Sequence, residues 1–358
     1  MNDLLDKPQQ VRAEDALDKH KLAVYLGYHL HGFNISDTLT IKQFSGGASN
    51  LTYLLQWGED DQNNEQQAIL RTAPRGANIK GAHDMGREFK VLELLENHFA
   101  YAPKALLYCD DREIIGRPFY LMQKVQGIIA RKKFPMPVSA EQAHNLCKQL
   151  IDVQVALHEI DIKKTGLDAL GHPQGYIQRQ VSGWNKRYQN ALVDGSDPAT
   201  QLMQWLSDNQ PEDQDCCLIH NDYKFDNVVL CADDPSKIIA VLDWEMATVG
   251  SPLMDLGCSL AYWIEKDDPA AMQAIRMMPT NSDGMMSRQQ IVAYYAKQRN
   301  INIENFDYFY IFGLFRLAVI VQQIYQRFAL GKTSNPAFAA FGDIAKVLIN
   351  QANAQLPR

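Results

Sequence analysis

At 358 residues the chain is long enough for two lobes, each with a sizeable core of its own. Its 46% hydrophobic and 22% charged content is ordinary for a globular protein, which excludes a disordered or collagen-like chain. A net charge of −7 argues against a broad nucleic-acid-binding face, so no nucleic-acid partner is expected, although a local basic cluster could still serve one nucleotide.

Six cysteines (Cys109, Cys147, Cys216, Cys217, Cys231 and Cys258) show no C-x-x-C pair or Cys/His zinc spacing, which points to free thiols. The opening residues are polar and acidic, without the apolar segment of a signal peptide. The most apolar stretch, residues 308–321, is 14 residues long and contains Arg316, which reads as a core helix rather than a membrane span. A cytoplasmic setting with no membrane partner is the expectation; oligomeric state is left open.

In chain order, apolar positions at Ala16, Leu17, Leu22, Ala23, Leu26 and Leu30 predict a helix within residues 11–31. Two β-like runs follow, 41–44 and 51–57, joined by SGGASN, whose paired glycines allow positive φ and close backbone approach. Residues 67–72, QAILRT, predict a third strand carrying Arg71. A Gly- and Pro-containing link leads to the helical pattern MGREFKVLELLENHF, with Glu88 near its start. Residues 101–126 alternate turn residues with β-like runs and end in PFYLMQKVQG.

The remainder reads as mostly helical. Ser139-x-x-Gln142 and Ser287-x-x-Gln290 are capping-box starts, the first for a helix ending near His158. Residues 199–209 and 337–355 predict further helices. A long buried helix is expected over 306–330, stopped by Gly331. There is no internal repeat.

The chain is organised around residues 218–257. Apolar runs at 216–219 and 228–230 flank the polar segment 220–227, and a third run, 238–242, ends at Asp243. Strands that deliver polar residues at their ends let loops aim them at a ligand. His220-x-Asp222 with Asn227 five residues on resembles the kinase loop H-R-D-x-x-x-x-N, and Asp243 matches the metal-binding Asp of D-F-G. Phosphoryl transfer needs a carboxylate to take the acceptor hydroxyl's proton and oxygen ligands for the magnesium that neutralises the phosphates. Asp222 fits the first role; Asn227 and Asp243 fit the second. Singly, each residue is equally at home in an ordinary turn; order and spacing together make the case.

HNDYKFDNVVL followed by VLDWEMATVGSPLMDLG resembles the aminoglycoside-phosphotransferase-like (choline/aminoglycoside kinase) family, whose pattern is H-G-D-x-x-x-x-N and then D-W-E…G-D-P…D-L. Within it, the chain is most similar to the kinase-like domain at the N-terminus of some acyl-CoA dehydrogenases. Residues 171–184, GHPQGYIQRQVSGW, match that subgroup's G-x-P-x-G-Y-x-x-R-Q-x-x-x-W. Two departures stand out: Asn221 replaces the usual Gly, and Ser251 replaces the Asp of G-D-P.

The resemblance implies an α+β, bilobal protein-kinase-like fold, with a β-rich nucleotide-binding lobe over 1–126 and a mostly helical catalytic and acceptor-binding lobe over 127–358. It implies ATP and Mg2+ as cofactors. The glycine-rich turn (Gly46, Gly47, Ser49) would cover the ATP phosphates, although alone it is as compatible with a flexible hairpin. Arg71 would take the place of the phosphate-pairing lysine, with Glu88 as its ion-pair partner, and the backbone around Gln123 and Val125 would meet the adenine. Asp255 would brace the catalytic loop. Implied is an ATP- and Mg-dependent phosphotransferase acting on a hydroxyl of a small molecule, with a hydroxyacyl compound as the nearest acceptor class. Arg179 or the Arg131, Lys132 and Lys133 cluster would anchor an anionic acceptor. An aminoglycoside or other small-alcohol kinase, and a nucleotide-binding pseudokinase, remain open alternatives.

Overall fold

The computed structural model describes residues 8–44, 50–59, 65–75, 83–213, 215–333 and 335–357. The chain divides into two compact units. One holds the chain up to Ile129 together with Val228–Asp234 and Ile238–Ala247; the other holds Ala130–Asn227, Pro235–Lys237 and the chain from Thr248 onward.

The first unit is built on one antiparallel sheet. Its helix α1 (Lys19–His29) is shorter than the sequence pattern suggests, because Asp18 accepts from the Lys21 backbone N–H at 3.0 Å and caps the helix there. Ala16 and Leu17 therefore lie ahead of it, next to a 3-10 turn at Ala13–Asp15. Strands β1 (Thr40–Gln43), β2 (Leu51–Glu59) and β3 (Glu65–Thr72) follow. Then come helix α2 (Met85–Leu95), β4 (Ala105–Cys109), a single helical turn α3 (Arg112–Ile115) and β5 (Phe119–Gln123). Strand order is β1-β2-β3-β5-β4. The sequence pattern misses α3, which Asp111 caps and Gly116 ends at φ +85°.

Side chains alternate across β3, and this alternation places Arg71. Ala68 and Leu70 join Leu22, Leu26, Tyr53, Phe119 and Leu121 in one apolar cluster against α1. Arg71 is on the opposite face, opposite Tyr120 in register, where Phe89 of α2 meets the Tyr120 ring.

The second unit begins with helix α4 (Ala140–His158), whose capping box forms as expected from Ser139 and Gln142. A one-turn helix α5 (Ile162–Thr165) precedes α6 (Tyr176–Ala191) and α7 (Thr200–Asp208). Strand β6 (Cys217–Ile219) comes next; β7 (Val228–Leu230) and β8 (Ile238–Val241) form a hairpin that belongs to the first unit. Strand β9 (Thr248–Gly250) returns to pair antiparallel with β6. The remaining helices are α8 (Pro252–Ala261), α9 (Ala270–Ile275), α10 (Arg288–Arg299), α11 (Asp307–Ala329) and α12 (Phe341–Ala354).

Helix α11 is long and apolar enough to cross a membrane by length and composition, yet 72% of its most apolar stretch is buried inside the protein. It packs against α6, α8 and α12 as a core helix. Its crossing with α8 is tight at two glycines. A Cβ on Gly313 would lie 2.3 Å from the Gly257 carbonyl oxygen, and one on Gly257 would lie 2.2 Å from that of Phe309. The six cysteines are all free thiols.

Candidate active site

The residues singled out in the sequence fall into two groups, one in each unit. In the second unit, β6 ends at Ile219 and the polar loop follows directly. Tyr223 and Phe225 are buried and hold the loop down. The Tyr223 hydroxyl donates to the Leu150 carbonyl at 2.7 Å, and the Phe225 ring stacks on Trp263. Asp222 and Lys224, on either side of Tyr223, are only partly buried.

Asp222 sits in a cluster of donors. The Asn227 side-chain amide donates to both Asp222 Oδ2 and its backbone carbonyl, each at 2.8 Å. The Lys224 ammonium pairs with Asp222 Oδ2 and lies 5.0 Å from the centre of the Tyr262 ring. Burial would lower the Lys224 pKa, but Asp222 beside it holds the ammonium above its ordinary range. A carboxylate fixed from two sides is oriented before any hydroxyl arrives.

Beneath the loop, Asp255 of α8 is fully buried. It accepts from the Asn221 backbone N–H at 2.6 Å and from that of His220 at 3.4 Å. His158 Nε2 at 3.0 Å and Gln154 Nε2 at 3.1 Å complete its surroundings, and the Tyr295 hydroxyl meets His158 Nδ1 at 2.7 Å. Burial pushes the Asp255 carboxyl up, yet the hydrogen bond from His158, with attraction to His158 and His220 and the Gln154 amide, holds it below the ordinary carboxylate range. Asp255 thus fixes the backbone of the loop. His158 ends α4, far away in sequence, and nothing in its own neighbourhood signals the link.

Both departures from the family pattern have local explanations. Asn221 adopts φ +65°, the left-handed region that glycine enters freely and asparagine tolerates best among other residues. The Tyr176 hydroxyl reaches its side-chain oxygen at 3.4 Å. Ser251 is the N-cap of α8 and accepts from the Met254 N–H, a role Asp would also fill.

In the first unit, Arg71 is buried at the centre of a carboxylate group. Its Nη1 pairs with Glu88 Oε1 at 2.7 Å, and its Nη2 with Asp243 Oδ1 at 3.0 Å and Glu245 Oε2 at 3.7 Å. Burial would lower the Arg71 pKa, but Glu88 and then Asp243 hold it well above its ordinary value. Asp243 ends the β7–β8 hairpin in a left-handed conformation, φ +67°, uncommon for a residue with a side chain. Gln123, at the end of β5, is exposed and bonds to Lys104; Val125, two residues on, is half-buried. Gly46, Gly47 and Ser49 lie outside the described residues.

The acceptor motif at 171–184 turns inward. Tyr176 and Trp184 are buried, the Trp184 indole donates to Gln180 at 3.1 Å, and the Arg179 guanidinium donates to the carbonyls of His172 and Gln174. Arg179 is itself exposed, and in this structure it fastens the start of α6. Arg131, Lys132 and Lys133 are exposed. Pattern reading passed over two charged groups near Asp222. Lys224 lies within the loop motif itself. Arg316, buried in α11 at 5.3 Å from the Trp184 ring, has Asp222 among the groups holding its guanidinium charged.

Among the described residues no cluster of three His, Cys, Asp or Glu forms a closed metal site. Oxygen-only ligands fit magnesium, which takes one or two carboxylates and completes its shell with waters and substrate phosphates. In addition, the buried Nε of Arg71 has no hydrogen-bond partner among the described residues.

Residues 40–280 match the model of the phosphotransferase enzyme family. Acyl-CoA dehydrogenase family member 11 from Pongo abelii is 35% identical over 345 residues, covering 95% of this chain and 43% of the relative. The chain thus spans about two-fifths of the length of the curated relatives it matches. A structure from Ralstonia eutropha, assigned as a candidate aminoglycoside phosphotransferase, superposes with a TM-score of 0.78 at 26% identity, covering 95% of this chain and 99% of that one. The GDP complex of aminoglycoside 2'-phosphotransferase-IIIa shares the fold at a TM-score of 0.61 and 14% identity, covering 94% and 99%. The α+β, kinase-like fold expected from the sequence is the fold of these neighbours.

Proposed function

This chain belongs to the phosphotransferase enzyme family, and we propose that it moves the terminal phosphoryl group of ATP to a hydroxyl of a small hydroxyacyl compound. The observation that carries this reading is the clasp of Asp222 by Asn227 and Lys224 on a loop pinned by Asp255. A module that only bound a nucleotide would have no use for so fixed a proton acceptor.

In this reading Asp222 orients the acceptor hydroxyl and takes its proton as the oxygen attacks the phosphoryl group. Magnesium, held by Asn227 and Asp243, would neutralise charge on the phosphates. Arg71, kept charged by its carboxylates, would pair with the phosphates, and Glu88 fixes its direction. The glycine-rich turn expected from the sequence would cover the phosphates, and the backbone at Gln123 and Val125 would meet the adenine. Most of the rate gain then comes from positioning and charge neutralisation. The hydroxyacyl acceptor is supported by the acyl-CoA dehydrogenase relatives and by the exposed basic cluster at Arg131, Lys132 and Lys133, which suits an anionic acceptor better than a polycation.

The test is ADP release over a panel of hydroxy acids, their CoA thioesters, sugars, choline-like alcohols and aminoglycosides. Turnover of a hydroxyacyl compound, lost in Asp222→Asn, is the expected result. Turnover of an aminoglycoside alone overturns the acceptor assignment, and nucleotide binding without turnover of any panel member favours a pseudokinase.

A further inference from the structure

Three carboxylates, Glu88, Asp243 and Glu245, surround the single guanidinium of Arg71. Asp243 and Glu245 share Nη2, and the nearer of them, at 3.0 against 3.7 Å, is Asp243. Two other donors hold Glu245. The side-chain amide of Asn50, buried to 3% exposure, donates to Glu245 Oε2 at 2.6 Å. The other end of that amide, Oδ1, meets His83 Nδ1 at 2.9 Å, so the amide is used in one orientation. Arg87 of α2 donates to the Glu245 carbonyl at 3.4 Å.

We infer that Asn50 and Glu245 form a positioning pair that keeps Arg71 available to Asp243 and sets the binding of magnesium nucleotide. Without a neutral donor on Glu245, two carboxylates compete for one Nη2 and repel each other, and Asp243 loses its fixed direction. An aspartate at position 50 would set a third negative charge against Glu245; asparagine supplies the N–H without the charge. Asn50 directly follows residues 45–49 in the chain, and Glu245 lies two residues after Asp243. The two residues are 195 positions apart and neither belongs to the H-x-D-x-x-x-x-N pattern.

This inference rests on the nucleotide-binding reading above, and calorimetry with the magnesium complex of AMPPNP separates the two. Asn50→Ala is expected to weaken binding about tenfold and N50D more than that, as loss of a hydrogen bond to a charged group implies, whereas Glu245→Gln, which removes the competing charge and keeps an oxygen for the Asn50 amide, should stay near wild type. The double variant N50D/E245Q restores the bond with donor and acceptor exchanged. Its affinity should return toward wild type, a rescue that a general packing defect does not give. Wild-type affinity in both Asn50→Ala and N50D, or a double variant as weak as N50D, overturns the pair while leaving the nucleotide reading intact. A wild-type protein that binds no magnesium AMPPNP at millimolar concentration overturns both.

Discussion

The side-chain amide of Asn227 donates to the Asp222 carboxylate at 2.8 Å and, with the same nitrogen, to the Asp222 backbone carbonyl at 2.8 Å. One residue thus fixes both the side chain and the backbone of the proposed proton acceptor. The same amide nitrogen makes both bonds, so neither uses the Asn227 oxygen, the atom to which the proposal gives the metal.

Replacing Asp222 with Asn keeps its shape and its place on the loop but removes the proton acceptor. Turnover should fall by about 10²–10⁴-fold, the range for general-base groups, with the melting temperature little changed. Single-turnover ADP formation measures this. Asn227→Ala should lower turnover as well, and it should raise the magnesium concentration needed for half-maximal rate, which Asp222→Asn should not.

Arg71 supports a different split. Alanine there leaves Glu88, at 1% exposure, without its cation, and breaking a buried pair from one side costs about 3–5 kcal/mol. Arg71→Ala should therefore unfold at lower temperature and bind nucleotide weakly. Arg71→Lys keeps a point charge but not the fork that reaches Glu88 and Asp243 from separate nitrogens. It should retain more stability than Arg71→Ala, with a raised KM for ATP. Equal KM for ATP in Arg71→Ala and wild type would reduce Arg71 to a structural ion-pair partner. Asp243→Asn, on a loop and 32% exposed, should instead leave melting nearly unchanged and abolish magnesium-dependent transfer.

How much of this was legible in the sequence follows from how the groups are held. Asp222 and Asn227 lie on one short loop five residues apart, so covalent spacing alone brings them together, and a short local pattern suffices. Arg71 and Glu88 are 17 residues apart on adjacent elements, and strand alternation with helix phase places them on facing surfaces. Asn50 with Glu245 and His158 with Asp255 are different. They are 195 and 97 residues apart, joined only by tertiary folding, and each residue alone is an ordinary turn or helix polar group. At 171–184 a motif rich in binding-type side chains has its aromatic rings buried and its arginine exposed and bonded to nearby carbonyls. Sequence carries residue type there, but not which way the helix is turned.

The crossing of α8 and α11 gives a stability prediction independent of chemistry. Gly313→Ala places a methyl 2.3 Å from a backbone oxygen of α8, which cannot step aside as a flexible side chain would. The helices must separate, at a cost of about 1–3 kcal/mol for an overpacked site. Urea unfolding should show a lower midpoint with an unchanged slope. Because α8 also carries Asp255, turnover should fall further than the fraction of folded protein explains.

The buried Asp255 makes acid sensitivity a direct probe of the brace under the catalytic loop. Its carboxyl is held below the ordinary range in the folded protein and returns to about 3.9 when the chain unfolds. A group with a depressed folded pKa binds protons more readily in the unfolded state, so stability rises with pH across that interval. The contribution is fully present above the unfolded value and is lost as pH falls through the folded one. Asp255→Asn removes the charge that His158 and the loop N–H groups stabilise, so it should be less stable than wild type at neutral pH. The gap between the two proteins should stay constant from neutral pH down to about 5, then narrow below about pH 4 as wild type loses its ionised brace. Other carboxylates titrate in the same range, but they are common to both proteins and cancel in the difference. Urea unfolding of both proteins at pH 7, 5, 4 and 3 measures that gap. A gap that holds its full size to pH 3 would mean that Asp255 fixes Asn221 and His220 by hydrogen bonding alone, with no net contribution from its charge.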